Sequence, residues 1–226
     1  MRYKSFSWFW AWKRYNISMV KPPSFTSHIS PAEFKSMAWK NGKGVTQEIA
    51  VFPPTGSLEK LDFKWRLSSA AISESGAFSE FPGYDRFLTV VSGPTLSLTR
   101  GGKTMKIGVG EIAQFSGDEK ITSSCEKPLT DLGLVFKRDE IDASMALLNF
   151  KKEPRSFEID ADTTFFFVLS GSFKAEVFPG EILFSLEKNH VLKLDGGLAE
   201  KPLALFEPLE QNSSLIAIEI DIIHKY

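Results

Sequence analysis

The chain is poor in the residues from which disulfides and metal centres are built. Its one cysteine among 226 residues, Cys125, cannot form an internal disulfide. Nothing therefore asks for an oxidising compartment, and a cytoplasmic location is expected. The three histidines, His28, His190 and His224, stand far apart with no HxH or HxxxH spacing. No local histidine metal site is expected, and no metal or other cofactor is assigned. Charge of either sign is not in excess: 27 Lys and Arg against 28 Asp and Glu leave a net charge of -1. This removes the general attraction on which nucleic-acid binding depends. No apolar run approaches the ~20 residues of a membrane-spanning helix.

What is present suits a soluble globular chain, with 42% hydrophobic and 24% charged residues. The length accommodates one large all-β domain or two smaller ones. Residues 1–24 stand apart. They carry Trp8, Trp10 and Trp12 between basic flanks, without the leucine-rich core or small-residue cleavage site of a secretory signal. They read as an extension that is flexible, with Met19 as an alternative start and Pro22 and Pro23 as a linker.

Ser30-Pro31-Ala32-Glu33 has the form of a capping box and predicts a short helix through about Met37. Beyond it, short period-two stretches rich in Val, Ile, Phe and Thr alternate with Gly, Pro, Ser and Asp, an all-β signature. One competing helical window, Asp139 to Leu148, places Ile141, Met145 and Leu148 at i, i+4 and i+7 and is expected to link two halves. The halves resemble each other. Phe87-Leu-Thr-Val-Val-Ser-Gly93 aligns with Phe165-Phe-Phe-Val-Leu-Ser-Gly171 at an offset of 78 residues, and Gly102 falls on Gly180 at a predicted hairpin. Two copies of a small β-barrel or sandwich are expected.

Two glycine-rich stretches carry no nucleotide chemistry. Lys40-Asn-Gly-Lys-Gly44 and Gly108-Val-Gly110 are each followed by a strand-like run, so no helix N-terminus is available for a phosphate. Residues 39 to 86 are different. Alternation places Phe63, Trp65 and Leu67 on one strand face and Lys64, Arg66 and Ser68 on the other. An arginine facing a barrel interior needs a carboxylate partner or an anionic ligand; a solvated face is the plain alternative. Thr46 and Glu48 alternate in the same way, so a neighbouring strand could supply the carboxylate. The loop Gly76-Ala-Phe-Ser-Glu-Phe-Pro-Gly-Tyr-Asp-Arg86 combines turn residues, aromatics and an Asp85-Arg86 pair, as a ligand-contacting loop or as a structural lock.

Three linked segments, Trp39-Lys-Asn-Gly-Lys-Gly-Val-Thr-Gln-Glu48, Phe63-Lys-Trp-Arg66 and Gly76 through Arg86, resemble the HutD/Ves family in order and spacing. Phe115-Ser-Gly-Asp118 and Asp131 through Arg138 continue the likeness more weakly. The chain departs from the family's D-F-N run at Asp131-Leu132-Gly133, and Lys43 interrupts the family's glycine turn. The resemblance implies an all-β bicupin, two cupin-like barrels or jelly rolls in one chain. The expected division is 25–138 for the first barrel and 139–226 for the second, with strand exchange between them allowed. It implies a bacterial cytoplasmic protein that moderates histidine utilisation by binding a carboxylate-bearing metabolite, with urocanate and formiminoglutamate as candidates. It brings no catalytic activity.

The expected ligand site is then in the first barrel. Arg66 and Arg86 clamp a carboxylate, and Glu48 orients an arginine or accepts a ligand N–H. Trp39, Trp65 and Phe81 supply walls, Trp65 least securely because it alternates with Arg66. Asn41, Thr46, Ser68 and Ser79 offer neutral hydrogen bonds, and Asp85 completes the set. No nucleic-acid partner or membrane span is expected, and a homodimer is allowed. Two rivals are kept: a metal-independent isomerase or hydrolase with Glu48 as general base, and a non-catalytic interaction scaffold.

Overall fold

The computed structural model describes residues 25–39, 44–197 and 200–224. The tryptophan-rich extension and Asn41 lie outside the described residues.

The first half contains β1 (Thr26–Ile29), β2 (Lys35–Ala38), β3 (Gly44–Phe52), β4 (Trp65–Ile72), β5 (Gly76–Ala77) and β6 (Tyr84–Ser92). It continues with β7 (Leu96–Arg100), β8 (Lys103–Ile107), β9 (Ile112–Ser116), β10 (Ile121–Ser124) and β11 (Leu129–Lys137). The second half contains β12 (Ile141–Asn149), β13 (Arg155–Glu158), β14 (Thr163–Ser170) and β15 (Phe173–Phe178). It ends with β16 (Ile182–Leu186), β17 (Val191–Asp195), β18 (Leu203–Pro208) and β19 (Ser214–Ile222).

These strands form four antiparallel sheets. In the first barrel a six-stranded sheet, β2-β3-β4-β11-β6-β9, faces a four-stranded one, β5-β10-β7-β8. In the second barrel a five-stranded sheet, β1-β17-β14-β19-β12, faces the four-stranded β13-β18-β15-β16.

Period-two alternation explains the packing. In β4, β6 and β11 one set of side chains (Leu67, Phe87, Leu132, Leu134) points away from the first barrel. It packs on Phe165, Phe167, Ile216 and Ile218 of the second, so that the two large sheets meet face to face through one apolar layer. Trp65 joins this layer, 5.6 Å edge-on to Phe165. The opposite set, including Ile72, Leu88 and Val90, lines the interior of the first barrel with Leu96, Leu98 and Ile121. The second barrel's interior is filled by Phe150, Phe157, Phe166, Phe173 and Phe206.

The internal repeat is visible in three dimensions. Phe87 and Phe165 occupy the same apolar layer. Gly102 and Gly180 both have positive φ, 76° and 114°, in the tight β7–β8 and β15–β16 hairpins where a side chain would be strained.

Two local expectations are corrected. The capping contact exists, with the Ser30 N–H donating to Glu33 Oε2 at 2.8 Å. The helix it starts is a single 3₁₀ turn, Pro31–Glu33, and β2 takes over at Lys35 because that segment pairs with β3. The window from 139 to 148 is not a helix but β12. Its Ile141 and Met145 face the layer between the barrels with Ala143 and Leu147, whereas Leu148 faces the second barrel's interior. On the second face Asp142 and Ser144 are exposed and only Leu148 near the end is buried, so the buried positions 141, 145 and 148 imitate a helical spacing.

β1 precedes the first barrel in sequence yet pairs with β17, at the edge of the second barrel's large sheet. This brings His28 Nε2 within 2.9 Å of His190 Nδ1.

Candidate functional site

The registers place the inward side chains of the six-stranded sheet on a grid. Val135 of β11 lies opposite Arg66 of β4 on one side and opposite Arg86 of β6 on the other. The two arginines therefore stand level on one face, two strand spacings, about 10 Å, apart at the backbone. One row along, Ser68, Gly133 and Leu88 are neighbours, with Glu48 beside Ser68. The next row holds Thr46, Ala70, Asp131 and Val90. Gly133 leaves the middle of this floor open: a Cβ there would meet nothing closer than 3.6 Å.

Arg66 is 4% exposed. Its Nε donates to Glu48 Oε2 at 2.7 Å and its Nη1 to Ser68 Oγ at 3.1 Å. Its Nη2 is buried with no acceptor among the described residues. An unmatched guanidinium N–H in a barrel interior is costly unless something fills it. Glu48 is also approached by the exposed Lys35 at 3.9 Å.

Arg86 is held differently. Its guanidinium carbon lies 4.9 Å from the Phe78 ring centre and 5.2 Å from those of Phe81 and Phe115. Nη1 donates to the Ser79 carbonyl at 3.2 Å. Burial lowers its pKa to about 10, Asp131 opposes that change and Arg66 adds to it. Asp131 is 5% exposed. Burial raises its pKa to about 7, against the Ala70 N–H that it accepts at 2.9 Å and the nearby Arg86.

Trp39 packs against the barrel's interior cluster and donates its indole N–H to Thr46 Oγ1 at 2.8 Å. Its ring lies over Gly44 so closely that a Cβ there would be 2.9 Å from it.

The structure thus brings together Trp39, Thr46, Glu48, Arg66, Ser68 and Arg86, with Phe81 under Arg86 and Ser79 contributing its carbonyl rather than its hydroxyl. Two expected members stand elsewhere. Trp65 points into the layer between the barrels, because alternation with an inward Arg66 leaves it no other face. Asp85 likewise faces away from Arg86 and pairs with Arg138, whose Nε reaches Asp85 Oδ1 at 2.9 Å. Arg138 also donates to Asp118 Oδ2 at 2.8 Å, Ser116 Oγ at 2.7 Å and the Tyr84 carbonyl at 3.1 Å. That network locks the loop after β9 against β6 and holds Asp118's carboxyl below its ordinary range. Asp131, Phe78 and Phe115 complete the interior beyond the expected set. Asp131 was findable from the inward alternation of Asp131, Gly133 and Val135.

Two clefts open in the seam between the barrels. One, about 260 Å³, is bounded by Phe34, Gln47, Ser69, Val91 and Phe167, with Lys188 as its one charged lining residue. The other, about 220 Å³, lies beside Phe52 and Trp65 with Asp162. Neither contains a buried, unpartnered charged atom, and the barrel interior does. Among the described residues no group of three or more His, Cys, Asp or Glu side chains is placed to hold a metal ion. None of the helices described is long and apolar enough to cross a membrane.

Two joined antiparallel barrels in one chain, the first with Arg66 and Arg86 on its inward face, define an all-β bicupin. The same fold is seen in a cupin 2 conserved barrel domain protein from Leptotrichia buccalis, with TM-score 0.57 and 15% identity over 90% of this chain and all of that one. The chain belongs to the HutD family, whose model matches residues 31–206. It is 25% identical to HutD from Pseudomonas fluorescens, solved in a formate condition, with TM-score 0.72 over 88% of this chain and 100% of that one. It is 36% identical to Protein Ves from Citrobacter koseri over 47% of this chain and 56% of that protein. It is 40% identical to a 21.2 kDa protein in the hutC 3' region of Pseudomonas putida over 46% of this chain and 54% of that protein. The chain thus spans about half the length of the curated relatives it matches.

Proposed function

We propose that the first barrel binds a small carboxylate-bearing metabolite and that the protein modulates histidine utilisation without catalysing it. The observation that carries this reading is the buried Arg66 Nη2, which lacks an acceptor beside a second arginine on the same face. A carboxylate entering there accepts from Arg66 Nη2 and lies within reach of Arg86. It supplies the acceptor that the interior lacks. Trp39 lies over Gly44 and is held by Thr46, and Gly133, without a side chain, leaves room at the floor. The link to histidine utilisation rests on relatives: one is named HutD and another lies in a hutC 3' region. Urocanate and formiminoglutamate are the first candidates, since each bears a carboxylate and nitrogen groups that Glu48 or Asp131 can accept from. Glu48 serves as the holder of Arg66 in this reading, because its Oε2 is already engaged by Arg66 Nε.

A thermal-shift series tests it. A ligand that binds only the folded chain raises the melting temperature when present well above its dissociation constant. Urocanate or formiminoglutamate is expected to do so without added metal, and Arg66→Ala to abolish the shift. The absence of any shift with these and with simple carboxylates would refute the reading.

A further inference from the structure

The middle of the six-stranded sheet's inner face carries Glu48, Arg66, Arg86 and Asp131, with exposed Lys35 beside Glu48 at one edge and Lys137 near Tyr84 at the far end. Glu48 is committed to Arg66. Arg86 has the Ser79 carbonyl and three aromatic faces, and the carboxyl group it senses most is that of Asp131. With Asp131 ionised, the two arginines and the two carboxylates cancel, Lys35 beside Glu48 being exposed to solvent. With Asp131 neutral, one positive charge is left over.

A carboxylate that enters reverses the account. Beside an ionised Asp131 it would leave a net negative charge in a water-poor interior, a state that desolvation strongly disfavours. Beside a protonated Asp131 it restores neutrality. Resting on the reading that this barrel binds a carboxylate, we propose that the site takes up one solvent proton at Asp131 for each singly charged carboxylate it captures. No covalent bond to carbon changes; Asp131 ends as the acid and the ligand remains the anion. The ligand class follows: molecules carrying one net negative charge, including zwitterions with one carboxylate in excess.

The surroundings of Asp131 fit this role. Glu48 comes from β3, Arg66 from β4 and Arg86 from β6. Tyr84, also on β6, has its hydroxyl donated to the Leu61 and Phe63 carbonyls and lies at the far end of the face. The opposing sheet contributes apolar Leu96, Leu98 and Ile121 with the buried Ser123, and the half-buried Cys125 thiol packs on the same cluster. The other charged side chains of these elements have their own partners: Lys35 approaches Glu48, Lys137 pairs with Glu140 and Arg100 with Glu119. Burial already holds the Asp131 carboxyl near neutrality, so the proton costs little at ordinary pH.

Formate and acetate are suitable probes because both stay ionised between pH 6 and 9. Their dissociation constants, measured by NMR titration of the native chain, are expected to rise by about tenfold per pH unit on the alkaline side of that range. Calorimetry in two buffers of different ionisation enthalpy should report uptake of close to one proton per ligand above pH 8. Asp131→Asn keeps an acceptor for the Ala70 N–H and should bind both probes with a pH-independent constant and no proton uptake. Binding by the native chain with flat pH dependence and no uptake would overturn the proposal and leave the carboxylate site standing. Retention of the slope in Asp131→Asn would overturn the assignment to Asp131. No binding of either probe at any pH would overturn the carboxylate reading and this one with it.

Discussion

Removing Arg66 separates its pairing with Glu48 from the ligand-binding role proposed for it. In Arg66→Met the Glu48 carboxylate, 11% exposed at its side chain, loses a partner at 2.7 Å and retains only the exposed Lys35 at 3.9 Å. Breaking a buried pair from one side costs about 3–5 kcal/mol, and Lys35 places this case near about 3. Replacing both partners, Glu48→Met with Arg66→Met, removes the stranded charge and should bring stability back to within about 1 kcal/mol of the native chain. Urea unfolding of the ligand-free proteins at one pH is the assay. The single variant's midpoint should fall by about 1 M or more, and the double variant's should largely recover. Binding should be lost in both, since neither keeps the Arg66 guanidinium and the remaining Arg86 is held by the Ser79 carbonyl and three aromatic rings. A single variant as stable as the native chain, or a double variant no better than the single, would refute the claim that Glu48 depends on Arg66.

Other outcomes follow from the same geometry. Because burial raises the Asp131 pKa from its ordinary 3.8 to about 7, the folded chain binds more protons than the unfolded one between those values. Stability should therefore fall as pH rises through that window, by up to ~4 kcal/mol, and Asp131→Asn should flatten the curve; an unchanged slope would exclude Asp131 as its source. Gly44→Ala sets a Cβ 2.9 Å from the Trp39 ring, so the indole must leave Thr46, and acrylamide quenching should increase. Unaltered quenching would show that the indole does not rest on Gly44. Phe165→Ala empties a fully buried position in the layer between the barrels and should cost about 3–5 kcal/mol, with both barrels still unfolding together in calorimetry.

Much of this architecture was legible in the sequence because β-strand alternation and turn glycines are local signals. The match of Phe87–Gly93 to Phe165–Gly171 announced two similar units, and alternation around Arg66 announced an inward cation. What escaped was set by partners distant in the chain. β12 buries Ile141 and Met145 on one face and Leu148 on the other near its end, and that change of face breaks the period-two signature. β1 finds its partner in β17, so His28 and His190, 162 residues apart, meet without any motif to announce them. Asp85 chooses Arg138 over its neighbour Arg86 because adjacent residues of a strand face opposite ways. Asp131 shares the inward alternation of Gly133 and Val135, but a carboxylate in an apolar strand looks like an exposed one until the barrel closes around it.

In the proposed reading the interior of the first barrel, and not the seam between barrels, receives a carboxylate. A crystal structure of the chain soaked with formate tests it most directly. A carboxylate is expected within hydrogen-bonding distance of Arg66 Nη2, in the space above Gly133 and facing Arg86. Formate confined to the cleft beside Lys188, or an Arg66 Nη2 still without an acceptor at saturating formate, would contradict it.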